Sequence, residues 1–334
     1  MSRIGIAFSG GLTATEIADC AERAEALGYE SVWVAEGHGG DQFAILAACA
    51  LRTRRVRLGT AISSVYVRTA PTVAMAAAVV DELSGGRFVL GLGSSHRVQV
   101  EPEHGVVYSR PLGRVRDTVA VVRGLLRDGE VGHAGQTIRI DRFDLWFEPL
   151  RREIPIYLSA LFPKMTELCG EVADGVILAR STLGSAARAR AHVAAGAARA
   201  GRDADAVEIA SLLPASVASN REEALAAARP GLAFYAGFFP RYNRLLAESG
   251  FPAEAAAVAE AWAAGDRPGA ERAITDEMIS ATGVAGTAAE CRERLDAYRA
   301  SGVNLPIISP FARGPGARDR FLAAIEACAP ASCR

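Results

Sequence analysis

Lysine is almost missing from this chain: Lys164 stands alone among 37 basic side chains, and the rest are arginine. Codon composition accounts for that bias, yet Lys164 falls in a predicted loop after a strand, where an ammonium can meet a phosphate. No stretch of about twenty uninterrupted apolar residues occurs, which excludes an ordinary helical membrane span. The formal net charge of −1 supplies no electrostatic drive toward nucleic acid or an anionic membrane, so any phosphate must be held locally. Cys20, Cys49, Cys169, Cys291, Cys328 and Cys333 show neither CxxC nor metal-ligand spacing. They predict reduced, buried thiols and no metal site. A Walker-type sequence and a low-complexity linker are also lacking. The sequence starts on a strand without a leader-like segment, so a soluble cytoplasmic protein is expected.

What is present is a chain of 334 residues, 50% of them hydrophobic, enough for one large barrel with insertions. Its most informative stretch is Val56–Ser95. Val56–Ser63 is rich in β-branched and small apolar residues, as a strand buried on both faces should be. Pro71 suits the first turn of a helix, Ala74–Leu83 has small residues that let a helix lie close to a sheet, and Ser84-Gly85-Gly86 ends it. Phe88–Leu92 is the next strand, and Gly91–Ser95 forms its exit loop. In parallel α/β folds chemistry sits at such carboxyl ends, where glycines let backbone N–H groups approach a ligand.

The alternation runs on in both directions. Strands are predicted at Ile4–Phe8, Ser31–Val34, Ile156–Ser159, Gly175–Leu178, Val207–Leu213 and Leu305–Ser309. Helices are predicted at Thr13–Leu27, Phe43–Leu51, Pro111–Leu126, Met165–Val172, Ala186–Ala200, Thr287–Ser301 and Ala317–Ala329. Glu130–Arg152 alternates like a β-hairpin. Arg221–Ala228, Gly231–Ser249, Ala253–Ala264 and Asp266–Ile279 exceed one crossover and predict a helical insertion between strands seven and eight. The fold expected is α/β, a (β/α)₈ TIM barrel with these two insertions, forming a single domain over residues 1–330.

Seven segments carry a family resemblance, in the expected order over nearly the whole chain: Ser31–Asp41, Arg57–Pro71, Asp81–Gly93, Arg110–Arg116, Ile154–Pro163, Ala173–Leu178, and Gly283–Thr287 with Leu305–Pro310. The chain resembles the bacterial luciferase-like superfamily, and within it the F420-dependent, methylenetetrahydromethanopterin reductase-like branch. The resemblance implies F420 as cofactor, with FMN as the alternative. It also implies a non-proline cis peptide in a bulge after strand three, which falls at Ser64-Val65, with Ser63 beside it. Ala61, Ile62 and Val65 would form a dry face behind the ring. Gly93, Ser94 and Ser95, and Ala160, Leu161, Phe162 and Pro163, fall at loops around the ribityl and phosphate portions, with Lys164 and Arg180 as candidate anion contacts. The Gly-Pro common after strand four is here His96-Arg97, and His104 agrees with a histidine of this branch.

The activity so implied is hydride transfer between the deazaflavin and a C=C, C=N or C=O bond of a small-molecule substrate, with His38, Glu36 or His96 as proton donor. An FMN-dependent monooxygenase served by a separate cofactor reductase, and a non-catalytic flavin or deazaflavin binder, are the alternatives. The aromatic residues Phe234, Tyr235, Phe238, Phe239 and Tyr242 are expected near the substrate pocket, in helix packing or at a dimer contact. The resemblance implies a homodimer.

Overall fold

Eight short runs of buried residues hydrogen-bond side by side until no free edge is left. In the computed structural model, which describes residues 2–330, they are β1 (Gly5–Phe8), β2 (Ser31–Val34), β3 (Arg57–Thr60), β4 (Phe88–Gly93), β5 (Ile156–Ala160), β6 (Gly175–Ala179), β7 (Glu208–Val217) and β8 (Leu305–Pro310). All neighbours are parallel, and the ring closes through β6 on β7, β7 on β8 and β8 on β1. Full closure removes the edges that an open sheet must protect.

The local signals act as expected. Thr13 caps the Ala14–Ala26 helix in a capping box with Glu16, and Gly85 ends the Ala70–Ser84 helix at φ 66°. The hairpin is present as Glu130–Ala134 paired antiparallel with Arg139–Asp144. The predicted single strand Val56–Ser63 is instead broken. It stops at Thr60 and resumes only as Ser63–Ser64, which pairs with Leu92–Gly93 of β4. The sequence reading also lacks the Arg97–His104 helix, whose internal Pro102 and adjoining glycine obscure its period, and a short strand, Val284–Gly286, that pairs in parallel beside the end of β7.

Two layers of packing bracket the barrel wall. Outside it, the main core unites helix and strand faces; inside, a smaller cluster includes Ala7, Trp33, Val89, Tyr157, Ile177 and Ile307. Trp33 and Tyr157 lie 5.8 Å apart and plug the barrel. Gly59 and Gly175 face these two rings closely enough that a methyl group at either would collide with them. At the amino-terminal end, Arg3 and Arg57 share Glu30 and Glu208. The barrel is thus filled and closed below, and open only above.

Above β7 stands the insertion, made of helices Arg221–Phe238, Pro240–Glu248, Pro252–Ala263, Arg267–Arg272 and Asp276–Thr282. It has a core of its own, built on Leu225, Leu232, Leu246, Val258, Ile274 and Met278. Cys20, Cys49, Cys169, Cys291 and Cys328 are buried free thiols; Cys333 lies outside the described residues. No helix among those residues is long and apolar enough to cross a membrane.

Candidate functional site

The site begins where β3 breaks. The peptide between Ala61 and Ile62 is cis. This corrects the expected position at Ser64-Val65: Ser64 pairs with Gly93 of β4, the Val65 N–H donates to the Gly93 carbonyl at 3.0 Å from the turn that follows, and the departure from the ladder lies between Thr60 and Ser63. Ile62 leans over the end of β4, so that a Cβ at Gly93 would stand 2.6 Å from its Cδ1. Gly93 is therefore required by close approach, and Ile62 with Ala61 caps the interior cluster as an apolar floor. Val65, expected on that floor, packs outward into the main core instead, while its carbonyl accepts from Arg114 Nε at 3.0 Å.

Glu36, at the exit of β2, fixes the break from the side. One carboxylate oxygen accepts the Ser64 N–H at 2.7 Å, and the other pairs with Arg68. Arg68 also reaches Asp41 at 2.6 Å, and Asp41 caps the Gln42–Arg52 helix. The carboxylate is thus held between the Ser64 backbone and Arg68. Ser63 and Ser64 are buried beside it.

His38 lies on the rim, three-quarters exposed, with Nε2 3.2 Å from Glu103 of the Arg97–His104 helix. His104 is exposed at the end of that helix. His96 sits elsewhere. Its ring lies 4.6 Å from Phe239 and 5.2 Å from Tyr242, under the insertion. Burial, reinforced by Arg241, pushes its pKa down to about 4. The expectation that His96 donates a proton as imidazolium is corrected by this surrounding: at neutral pH the ring is uncharged and can offer only an N–H.

At the exits of β5 and β6 a cavity of about 120 Å³ opens, lined by Leu161, Phe162 and Pro163, by Ser185, Arg188 and His192, and by Leu245, Glu248 and Ser249 of the insertion. Helices Pro163–Val172 and Leu183–Arg199 both start at it; Thr182 caps the second through the Ser185 N–H, whereas the first has no side-chain cap, and the positive dipole ends of both favour an anion there. Arg188 has no carboxylate within 4.0 Å among the described residues, and His192 lies 3.7 Å from Glu167. Lys164, the expected anion contact, is exposed and does not line the cavity: it occupies the second position of its helix and turns outward. Arg188 and His192 take that place, on helical positions a loop-centred reading passes over. Their spacing of four along one helix is the signal that could have found them.

Ser95 and Arg180, just past the ends of β4 and β6, both hold positive φ of 51°. Side chains rarely adopt that backbone, and such positions concentrate at ligand sites. Arg180 stacks on Tyr235, its guanidinium carbon 3.8 Å from the ring centroid. The predicted aromatic group is one cluster: Phe234 lies parallel to Phe238 at 5.4 Å, and Tyr235 packs tilted on Phe239 and edge-on to Tyr242.

A parallel barrel plugged below, interrupted after β3 and covered by a helical insertion before β8 defines a class of oxidoreductase. The chain belongs to the luciferase-like family and, within it, to the branch of F420-dependent oxidoreductases: the family's luciferase-like monooxygenase profile matches residues 2–305. It is 31% identical over 307 residues to the 5,10-methylenetetrahydromethanopterin reductase of Archaeoglobus fulgidus, covering 90% of this chain and 91% of that one. The corresponding enzyme of Methanolobus tindarius is 32% identical over 302 residues, with 90% and 91% covered. In fold it is similar to the coenzyme F420-dependent tetrahydromethanopterin reductase of Methanopyrus kandleri, with a TM-score of 0.85, 23% identity and 97% of each chain covered. An F420-dependent secondary alcohol dehydrogenase superposes with a TM-score of 0.78 at 21% identity, covering 98% of this chain and 99% of that one.

Proposed function

We propose that this protein is an F420-dependent reductase that moves a hydride between the deazaflavin and an electrophilic C=C, C=N or C=O bond of a small molecule. The observation that carries the reading is the pairing, at one open barrel mouth, of an apolar floor at Ala61 and Ile62 with the cavity lined by Arg188 and His192. A flat heteroaromatic ring with an anionic tail fits that combination, and reductases among the relatives support it. When bound, the deazaflavin supplies a ring carbon that exchanges hydride and reacts poorly with oxygen.

The chain's own groups would do the rest. Ile62 and Ala61 back the ring and keep water from that face, and Gly93 allows the close packing of Ile62. Ser94 and Ser95 would serve the ribityl portion, and Ser185, Arg188 and His192, which line the cavity with the loop at Leu161–Pro163, would hold the phosphate. His38 carries the proton that accompanies each hydride, its imidazole oriented by Glu103 3.2 Å away.

Titration of cofactor-free protein with oxidised F420 and, separately, with FMN tests the reading by calorimetry. Selective F420 binding is expected. Selective FMN binding would turn the case to a monooxygenase fed by a separate reductase, and binding of neither would end the cofactor assignment. A homodimer is part of the same proposal, supported by exposed Leu51, Val79 and Leu83 on two neighbouring helices with exposed Leu150 close by Gly86. Light scattering should give twice the 35.0 kDa chain mass, and Leu83→Glu should lower it.

A further inference from the structure

The β-hairpin adds no strand to the barrel: Glu130–Ala134 and Arg139–Asp144 pair only with each other. Its apolar side chains, among them Val131, Ile138, Ile140 and Phe143, lie partly buried against the main core. Val131 comes so near the Pro111–Asp128 helix that a Cβ at Gly124 would stand 3.1 Å from it. The tip is fixed more tightly than this apolar seam requires. Asp117 Oδ2 accepts the Thr137 N–H at 2.6 Å, the Thr137 hydroxyl at 2.8 Å and the Ile138 N–H at 3.1 Å. A Cβ at Gly135 would stand 2.3 Å from Asp117 Oδ1, so only glycine lets the turn come this close.

That lock presents one carbonyl to Arg114, which stands a turn ahead of Asp117 on the same helix. Arg114 Nη1 donates to the Thr137 carbonyl at 3.2 Å, and its Nε donates to the Val65 carbonyl at 3.0 Å. Its guanidinium carbon also lies 5.8 Å from the ring centroid of Tyr66. One planar fork therefore joins the hairpin tip to the chain that has just left the apolar floor at Ile62. Three elements hold that chain. Gly93 of β4 takes the Val65 N–H at 3.0 Å, Glu36 beyond β2 takes the Ser64 N–H at 2.7 Å, and Arg114 donates to the Val65 carbonyl. The first two belong to the strands that flank β3 in the barrel wall; Arg114 alone reaches in from the outer layer of helices. No other donor meets the Val65 carbonyl among the described residues. A binding constellation tolerates displacements of only about 0.5 Å, so the backing of a flat ring depends on every one of these contacts.

We propose that Arg114 is a positioning residue for the ring floor, and that the β-hairpin is the anchor that keeps Arg114 in place. This rests on the functional reading above, because the floor is the face on which the deazaflavin is proposed to lie, and it places control of that face in an element outside the barrel. Lysine cannot substitute fully: an ammonium is a point donor, whereas the guanidinium spans two carbonyls of different segments in a fixed fork. The hairpin touches the floor only through this fork, so loosening the tip changes nothing further once the fork is gone.

Hydrogen exchange on the cofactor-free protein reads the floor directly. Arg114→Met should speed exchange of the amides in residues 61–66 about tenfold while the Gly175–Ala179 strand across the barrel is unchanged. Thr137→Val removes one of the three donors to Asp117 and should speed it about threefold, and the double variant should match Arg114→Met alone. Arg114→Lys keeps the charge and should fall between wild type and Arg114→Met. Fluorescence titration, far below the unfolding temperature, supplies a second readout that a purely structural role would leave unmoved. Arg114→Met should weaken F420 and its phosphate-free ring-and-ribityl fragment by the same factor, about fivefold, whereas Arg188→Met should weaken F420 alone. Unchanged exchange at residues 61–66 in the Arg114 variants, or additive effects in the double variant, overturns the proposal. Loss of F420 affinity with fragment affinity intact also overturns it, because the arginine then serves the tail. If Arg114→Met fails to fold, Arg114→Lys and Thr137→Val carry the same comparison. Failure of the wild type to bind either ligand refutes the functional reading instead, and exchange at residues 61–66 then judges the brace by itself.

Discussion

Replacing His96 with phenylalanine isolates what burial of one imidazole does to the whole fold. Phenylalanine keeps an aromatic face against Phe239 and Tyr242 but carries no titratable nitrogen. In the native protein His96 has its pKa pushed from 6.5 down to about 4, first by burial and then by Arg241. Between those limits the unfolded chain binds a proton that the folded chain refuses, so stability must rise with pH across that window. The contribution is fully present above pH 6.5 and lost as pH falls toward 4. An interval of 2.5 (6.5 − 4) at 1.36 kcal/mol per pH unit gives a total of about 3 kcal/mol, of which about 2 kcal/mol is lost by pH 5. Urea unfolding of wild type and His96→Phe at several pH values from 4 to 7.5 reads the difference directly, because titration of other groups is common to both. The wild type should lose stability toward acid faster than the variant by that amount. Parallel curves would refute the reasoning and place the imidazole in water.

Three other perturbations report on different parts of the molecule. Gly59→Ala drives a methyl group into the Trp33 ring and should cost about 3 kcal/mol in urea unfolding, with the Trp33 fluorescence shifted. Asp81→Asn removes the charge that Arg151 contacts with two nitrogens while the carboxylate is almost wholly buried, and should lower stability by about 3 kcal/mol, measured the same way. Glu36→Gln weakens the grip on the Ser64 N–H and leaves Arg68 with Asp41 alone; F420 affinity should fall about tenfold by fluorescence titration, with a smaller change in stability.

The barrel was legible because its strands are continuous apolar runs and its helices start and stop on recognisable residues such as Thr13, Pro71 and Gly85. Those signals are local, and the chain honours them. What escaped was set by contacts between distant segments. The break after β3 lies at Ala61-Ile62 because Ser63 and Ser64 return to pair with β4, a fact no residue near them announces. His96 was read as a loop histidine, but its properties come from Phe239 and Tyr242, more than 140 positions onward. Glu36 looked like a free acid until Arg68 claimed it. Lys164 drew notice by its rarity, whereas the arginine and histidine that line the cavity were hidden among many similar residues on an alanine-rich helix.

The separate core of the insertion has a consequence for how this protein can change. Leu225, Leu232, Leu246, Val258 and Met278 bury one another apart from the barrel's packing, yet Leu245, Glu248 and Ser249 of the same segment line the cavity at the exits of β5 and β6, so the roof has its own frame but shares a wall with the room below. Substitutions that fall on its underside, at Tyr235, Phe239, Arg241 or Tyr242, meet Arg180, His96 and Tyr108 while the floor at Ile62 stays as it is. Selection, or an engineer, can therefore repack the interior of residues 221–282 by itself, provided the face turned to the barrel is kept.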